Sequence, residues 1–81
     1  MNILIVEDDT VIAYAMGITL SQAGYNHVHT KTIEQALNEL KHNHVDAVLL
    51  HINLPDGDGK RLKRLIWKSY LPTPIFGHFR Q

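Results

Sequence analysis

Two short, unbroken apolar runs most constrain how this chain can fold. Asn2–Val6 and residues 45–51 are rich in Ile, Val and Leu. They carry no polar alternation over 3–6 and 47–50, and each ends abruptly, at Glu7-Asp8-Asp9 and at His51. A strand with one wet face alternates polar and apolar residues, whereas a strand without alternation is covered on both faces, as parallel strands in α/β domains are. Both runs are far too short to span a bilayer. Acids follow the first run at once, so the start of the chain does not read as a signal peptide.

The segments between the runs supply the layers that cover such strands. Asp9 or Thr10 can cap a helix in which Ile12, Met16 and Leu20 recur at i, i+4 and i+8 as the expected buried ridge, with Gly24 as its C′ residue. Asn26–Thr30 reads as a second strand. Thr32 offers an N-cap with Gln35 as capping-box partner, ahead of an apolar stripe of Ile33, Ala36, Leu37 and Leu40. Residues 53–59 are dense in turn formers and read as a loop. Residues 60–70 form a third helix with Leu62, Leu65 and Ile66 inward, stopped by Pro72, and 74–79 offer a fourth strand. Right-handed crossovers turn this βαβαβαβ pattern into a single α/β domain over residues 1–81: a four-stranded parallel sheet, order 2-1-3-4, between helical layers.

Composition narrows the function classes. The chain has 81 residues, 44% hydrophobic, which excludes a disordered chain, and no cysteine, which excludes disulfide and zinc–thiolate scaffolds. A cytoplasmic location is expected. The formal charge is zero but unevenly spread. All eight acids lie within residues 1–59 beside only Lys31 and Lys41, a local net of −6, and residues 60–81 carry six bases and no acid, +6. Such asymmetry suits head-to-tail self-association or an acidic partner. A solvated helix face explains the bases better than a nucleic-acid footprint, so nucleic acid is not an expected partner. Trp67 and Tyr70 on the third helix read as packing aromatics. His27 with His29, and His42 with His44, read as scattered surface histidines rather than chelating pairs.

In open α/β sheets, ligands sit outside the carboxyl ends of the strands where strand order reverses. Glu7, Asp8 and Asp9 follow strand one, and His51 and Asn53 close strand three, so these groups converge if the two strands are neighbours. The residues that carry a wider likeness run through the chain: Ile3-Leu4-Ile5-Val6-Glu7-Asp8-Asp9; Ile12, Met16, Leu20 and Gly24-Tyr25; Glu34-Gln35-Ala36-Leu37; Val45-Asp46-Ala47-Val48-Leu49-Leu50; Asn53-Leu54-Pro55; Asp58-Gly59; and Pro72-Thr73-Pro74-Ile75. In that order and spacing the chain resembles the receiver domain of two-component response regulators. The resemblance implies the flavodoxin-like three-layer fold.

The resemblance also implies a phosphorelay site, from which this sequence departs. A receiver accepts a phosphoryl group from a histidine kinase on an aspartate ending strand three. Mg²⁺ is held there by an acidic pair, that aspartate and a backbone carbonyl two residues on. Glu7 and Asp8 match the acidic pair and Asn53 the carbonyl, but the acceptor position holds His51. The Ser or Thr that ends strand four of a receiver corresponds to Phe79, which has no hydroxyl, and the strand-five lysine has no counterpart within the 81 residues. Imidazole cannot form an acyl phosphate and suits Mg²⁺ poorly, so Mg²⁺ binding is expected to be weak or absent and no cofactor is expected. The reading is a truncated pseudo-receiver.

Truncation leads to one further expectation. Apolar residues such as Val48, Leu50, Ile75 and Phe79 would risk exposure, and a dimer or small oligomer would cover them. The expected function is a stand-alone, non-enzymatic module. It acts by phosphorylation-independent contact with itself, a histidine kinase or another response regulator. The alternatives are a non-functional receiver remnant and a small metal-binding protein using Glu7, Asp8 and His51. For His51, an ion-paired histidine beside carboxylates is preferred over a Zn²⁺ ligand, and phosphorylation of its ring is disfavoured without a stabilising hydroxyl and lysine.

Overall fold

The first apolar run becomes the centre of a sheet. The computed structural model describes residues 1–51, 53–54, 57–69 and 74–78, with backbone alone at 51, 53, 54, 58, 59, 67, 69 and 76–78. The elements are β1 (Asn2–Val6), α1 (Thr10–Gln22), β2 (Asn26–Thr30), α2 (Ile33–His42), β3 (Ala47–His51), β4 (Asn53–Leu54), β5 (Gly57–Asp58), α3 (Gly59–Ser69) and β6 (Ile75–His78). β1 lies between β2 and β3 in parallel register, with Val6 opposite both Thr30 and Leu50. β6 runs parallel along the far side of β3, from Val48–Ile75 to His51–His78, which gives the order β2-β1-β3-β6. Leu4, Ile5 and Val6 are wholly buried, as a strand paired at both edges and covered on both faces requires.

The two faces of the sheet are packed differently. Leu4, Val6, Val48 and Leu50 form the main core with Ile33, Ala36 and Leu40 of α2 and Leu62 and Ile66 of α3, while Ile75 is half-buried against it. Val48 and Leu50, expected to risk exposure, are therefore 0% and 2% exposed, because α2 and α3 close over their side of the sheet. Phe79 lies outside the described residues.

On the opposite face α1 lies over β1 and β2 by a stripe other than the expected one. Ala13 and Gly17 are buried, Met16 and Leu20 are half-buried, and Ile12 is 42% exposed. The small residues let the helix sit close: a Cβ on Gly17 would stand 2.7 Å from Nε2 of His27. The cause of the shifted stripe is that α1 is apolar nearly all round, with Val11, Tyr14 and Ile18 also exposed, so spacing alone cannot select the buried side.

Local signals set the helix ends. Asp9 Oδ1 accepts from the N–H groups of Val11 and Ile12 at 2.9 and 3.2 Å. Thr32 Oγ1 accepts from Gln35 N–H at 3.1 Å, while Gln35 Oε1 reaches one residue past the expected box partner to Lys31 N–H, at 2.8 Å. After α1, Gly24 N–H donates to Ser21 O and Tyr25 N–H to Leu20 O, a Schellman closure with Gly24 at φ +85°. β3 starts at Ala47, two residues later than expected, because Asp46 serves the edge of the sheet. Its Oδ2 accepts from Asn2 N–H and its Oδ1 pairs with His44 Nε2, both at 2.7 Å. The expected loop contains a small antiparallel pair, Asn53–Asp58 and Leu54–Gly57.

Two outcomes are expected. A Cβ at Gly24 would meet nothing within 4 Å, so Gly24→Ala should cost only the left-handed backbone penalty, roughly 1–2 kcal/mol in urea unfolding. The Asn2 N–H, and then His44, hold the Asp46 carboxyl below its ordinary value of 3.8. A group whose pKa is depressed by folding stabilises the fold above its unfolded pKa and loses that contribution as pH falls through its folded pKa. Thermal midpoints taken from pH 7 down to pH 3 should therefore drop less steeply below about pH 4 in Asp46→Asn than in the parent chain, with the variant the less stable at pH 7.

Candidate functional site

β1 and β3 are neighbours, so their carboxyl ends meet. One position beyond the paired Val6 and Leu50 stand Glu7 and His51, and on the other side of β3 His51 is in register with His78. Three adjacent strands thus end, along one edge of the sheet, in Glu7, His51 and His78. The sequence reading brought Glu7, Asp8 and His51 to this edge, and the topology places their backbones there. Asn53 follows as the first residue of β4, opposite Asp58. Phe79, taken as the lost hydroxyl position, lies outside the described residues.

Glu7 is 5% exposed and is held at every level. Its N–H donates to Thr30 O at 3.0 Å, its carbonyl oxygen lies 2.7 Å from His29 Nε2, and its Oε2 accepts from Asp9 N–H at 3.1 Å. A carboxylate this buried is tolerated because fixed donors replace water. Asp8 is exposed. Asp9 turns away from the pair to cap α1, so two of the three consecutive acids belong to the site and the third to the helix. Among the described residues, no group of three or more His, Asp or Glu side chains is arranged to hold a metal ion.

The remaining histidines do not pair as chelators. His27 Nδ1 lies 3.5 Å from Ser21 Oγ and His29 is engaged by Glu7 O. His42 Nδ1 is 2.9 Å from Asn38 O, and His44 Nε2 is 2.7 Å from Asp46 Oδ1. His29, read from the sequence as a scattered surface histidine, is instead half-buried and ties β2 to the backbone of the acidic pocket. Its signal was the parallel register, in which His29 stands opposite Ile5, two residues before Glu7. On α3, Lys60, Arg61, Arg64 and Lys68 are exposed, and Arg61, Lys63, Arg64 and Lys68 line an open groove of about 670 Å³ with Leu65. Among the described residues, no helix is long and apolar enough to cross a membrane.

Known proteins share this fold. A family model for the response regulator receiver domain matches residues 3–77. The chain is 41% identical over 69 residues to the swarming motility regulation protein RssB of Serratia marcescens, covering 85% of this chain and 31% of RssB. It is 33% identical over 75 residues to the cell cycle response regulator CtrA of Brucella ovis, covering 93% and 32%. It is 35% identical over 77 residues to the sensor histidine kinase RcsC of Escherichia coli, covering 95% and 8%. The chain spans no more than about a third of the length of these relatives.

Among solved structures, the MaeR response regulator bound to beryllium trifluoride superposes with a TM-score of 0.91 at 28% identity, covering 96% of this chain and 66% of that one. The HemR receiver domain from Leptospira biflexa gives 0.87 at 36% identity, covering 94% and 61%. With the strand layout, the acidic pair after β1 and a family match over nearly its whole length, this chain belongs to the response regulator receiver domain family, a non-enzymatic module of two-component signal transduction.

Proposed function

We propose that this chain is a receiver-like module that regulates by phosphorylation-independent protein–protein interaction. The observation that carries the reading is His51, which stands at the end of β3, where the family resemblance puts the phosphoaccepting aspartate. An imidazole there removes one negative charge and one hard oxygen ligand from the pocket formed with Glu7 and Asp8 and rules out an acyl phosphate. Mg²⁺, which demands oxygen donors in near-octahedral array, is held weakly or not at all. By the family resemblance Phe79 takes the place of the switch hydroxyl, and its side chain has no oxygen to offer a phosphoryl group. Such a module works in the cytoplasm.

Receiver domains interact with histidine kinases, and α1 offers the surface for it. Val11 and Tyr14 are 77% and 73% exposed, one and two turns beyond the acidic pair, with Ile18 further along the same helix. The same apolar side supports self-association. A second copy meeting the same side chains would cover them when no kinase is present. The two contacts share α1 and so exclude one another.

Two measurements test this. In a panel of purified histidine-kinase dimerisation domains, at least one should bind the chain with an affinity unchanged by acetyl phosphate and reduced about tenfold or more by Tyr14→Glu, roughly the loss of one contact residue worth 1.4 kcal/mol. Binding that requires the phosphodonor, or a gain of one phosphoryl mass by the chain, would overturn the proposal. Light scattering behind a sizing column should give the mass of a dimer that Ile18→Glu converts to monomer. A monomer at high concentration in the parent chain would refute self-association.

A further inference from the structure

The basic helix α3 lacks the acids that a solvated helix face ordinarily carries among its bases. It holds Lys60, Arg61, Lys63, Arg64 and Lys68 and no acid, whereas α2 mixes Glu34 and Glu39 with Lys41. Opposite charges three or four residues apart steady a helix surface, and like charges at those spacings repel. Arg61, Arg64 and Lys68 follow one another at those spacings, and all three are exposed. Among the described residues, none of the three forms an ion pair. Leu62 and Ile66 are wholly buried, so α3 cannot turn and the cations stay together on its outside. At 1.5 Å of rise per residue, positions 61 and 68 stand about 10 Å apart along the axis. The half-buried Leu65 falls on the same face, and the row borders an open groove of about 670 Å³.

We propose that the row formed by Arg61, Arg64 and Lys68 is a binding site for a chain of linked phosphates, such as inorganic tripolyphosphate or the triphosphate of a nucleotide. The chemistry of the cations decides the ligand. Each guanidinium presents a planar fork that matches two phosphate oxygens, and the ammonium adds a point charge. A lone phosphate reaches only part of a row this long. A phosphate chain carries several negative charges on one short backbone, so it answers all three cations for a single loss of translational freedom. An acidic protein surface would have to order its own carboxylate side chains as well. The anion also relieves the repulsion along the helix, which the fold leaves uncompensated. This site lies on the opposite face of the sheet from α1, so it goes beyond the interaction function and does not depend on it.

Calorimetric titration of the full chain with sodium tripolyphosphate at low ionic strength tests the site. The expected result is one anion per chain, bound about tenfold or more tighter than orthophosphate and weakened by added salt. The double variant Arg61→Gln/Arg64→Gln should weaken it about thirtyfold or more. The double variant Lys31→Gln/Lys41→Gln removes the same charge from elsewhere and should change it less than about threefold. Titration with ATP identifies the source. Tighter binding of ATP than of tripolyphosphate assigns a nucleotide, equal or weaker binding assigns the inorganic chain, and both uphold the site. Amide NMR of the parent chain needs no variant: the anion should shift the signals of residues 60–69 and leave those of α1 in place. Equal losses in the two double variants, no preference over orthophosphate, shifts centred away from α3, or no binding at millimolar tripolyphosphate would overturn the site. Kinase binding measured in phosphate-free buffer reads the interaction proposal separately, so either can fail alone.

Discussion

Everything at the functional edge depends on β1 being paired along both sides. Because β2 and β3 both hydrogen-bond to it, the strand cannot end in water, and the residue that leaves it, Glu7, is carried into near-complete burial. The cost of burying a carboxylate is offset locally. The Glu7 N–H extends the β1–β2 ladder to Thr30, its carbonyl engages His29, and its side chain takes the Asp9 N–H just before that residue caps α1. Strand pairing, pocket and helix start therefore share one set of hydrogen bonds, and a change at the end of β1 is felt in all three.

Much of this was legible in the sequence because the signals were local. Continuous aliphatic runs mark doubly covered strands, and Asp9, Thr32 and Gly24 mark helix ends by chemistry that acts within a few residues. The readings that failed were non-local. Val48 and Leu50 read as vulnerable because the sequence does not say that α2 and α3 both close over their face. Ile12 read as buried because α1 offers apolar residues in every direction and only packing against β2, through Ala13 and Gly17, selects one. His29 read as a surface histidine because its role lies in register, which is fixed by strand pairing across the fold and not by neighbours in the chain.

The charge asymmetry has a similar structure. The acids that matter to the site follow β1, while the bases occupy α3, whose Leu62 and Ile66 are sunk in the core and whose Lys60, Arg61, Arg64 and Lys68 are exposed. The zero net charge of the chain is therefore a sum over two poles. Long basic side chains on a well-anchored helix need no partner to be stable, since their stems cover apolar surface while the charges stay hydrated. The apolar outer side of α1 differs, because water gains nothing from Val11, Tyr14 and Ile18, and this makes α1 rather than α3 the stronger basis for a protein contact.

The substitution at position 51 also changes what the pocket needs in order to exist. Three carboxylates at one strand edge repel one another, and a cation that relieves the repulsion is part of such a site's stability. With imidazole in the third place, one negative charge is gone. The demand for a neutralising cation falls with it. On the proposed reading, a pocket of this composition depends less on a hard metal or a phosphoryl group for its charge balance. The proposed module requires this much, a surface presented without either.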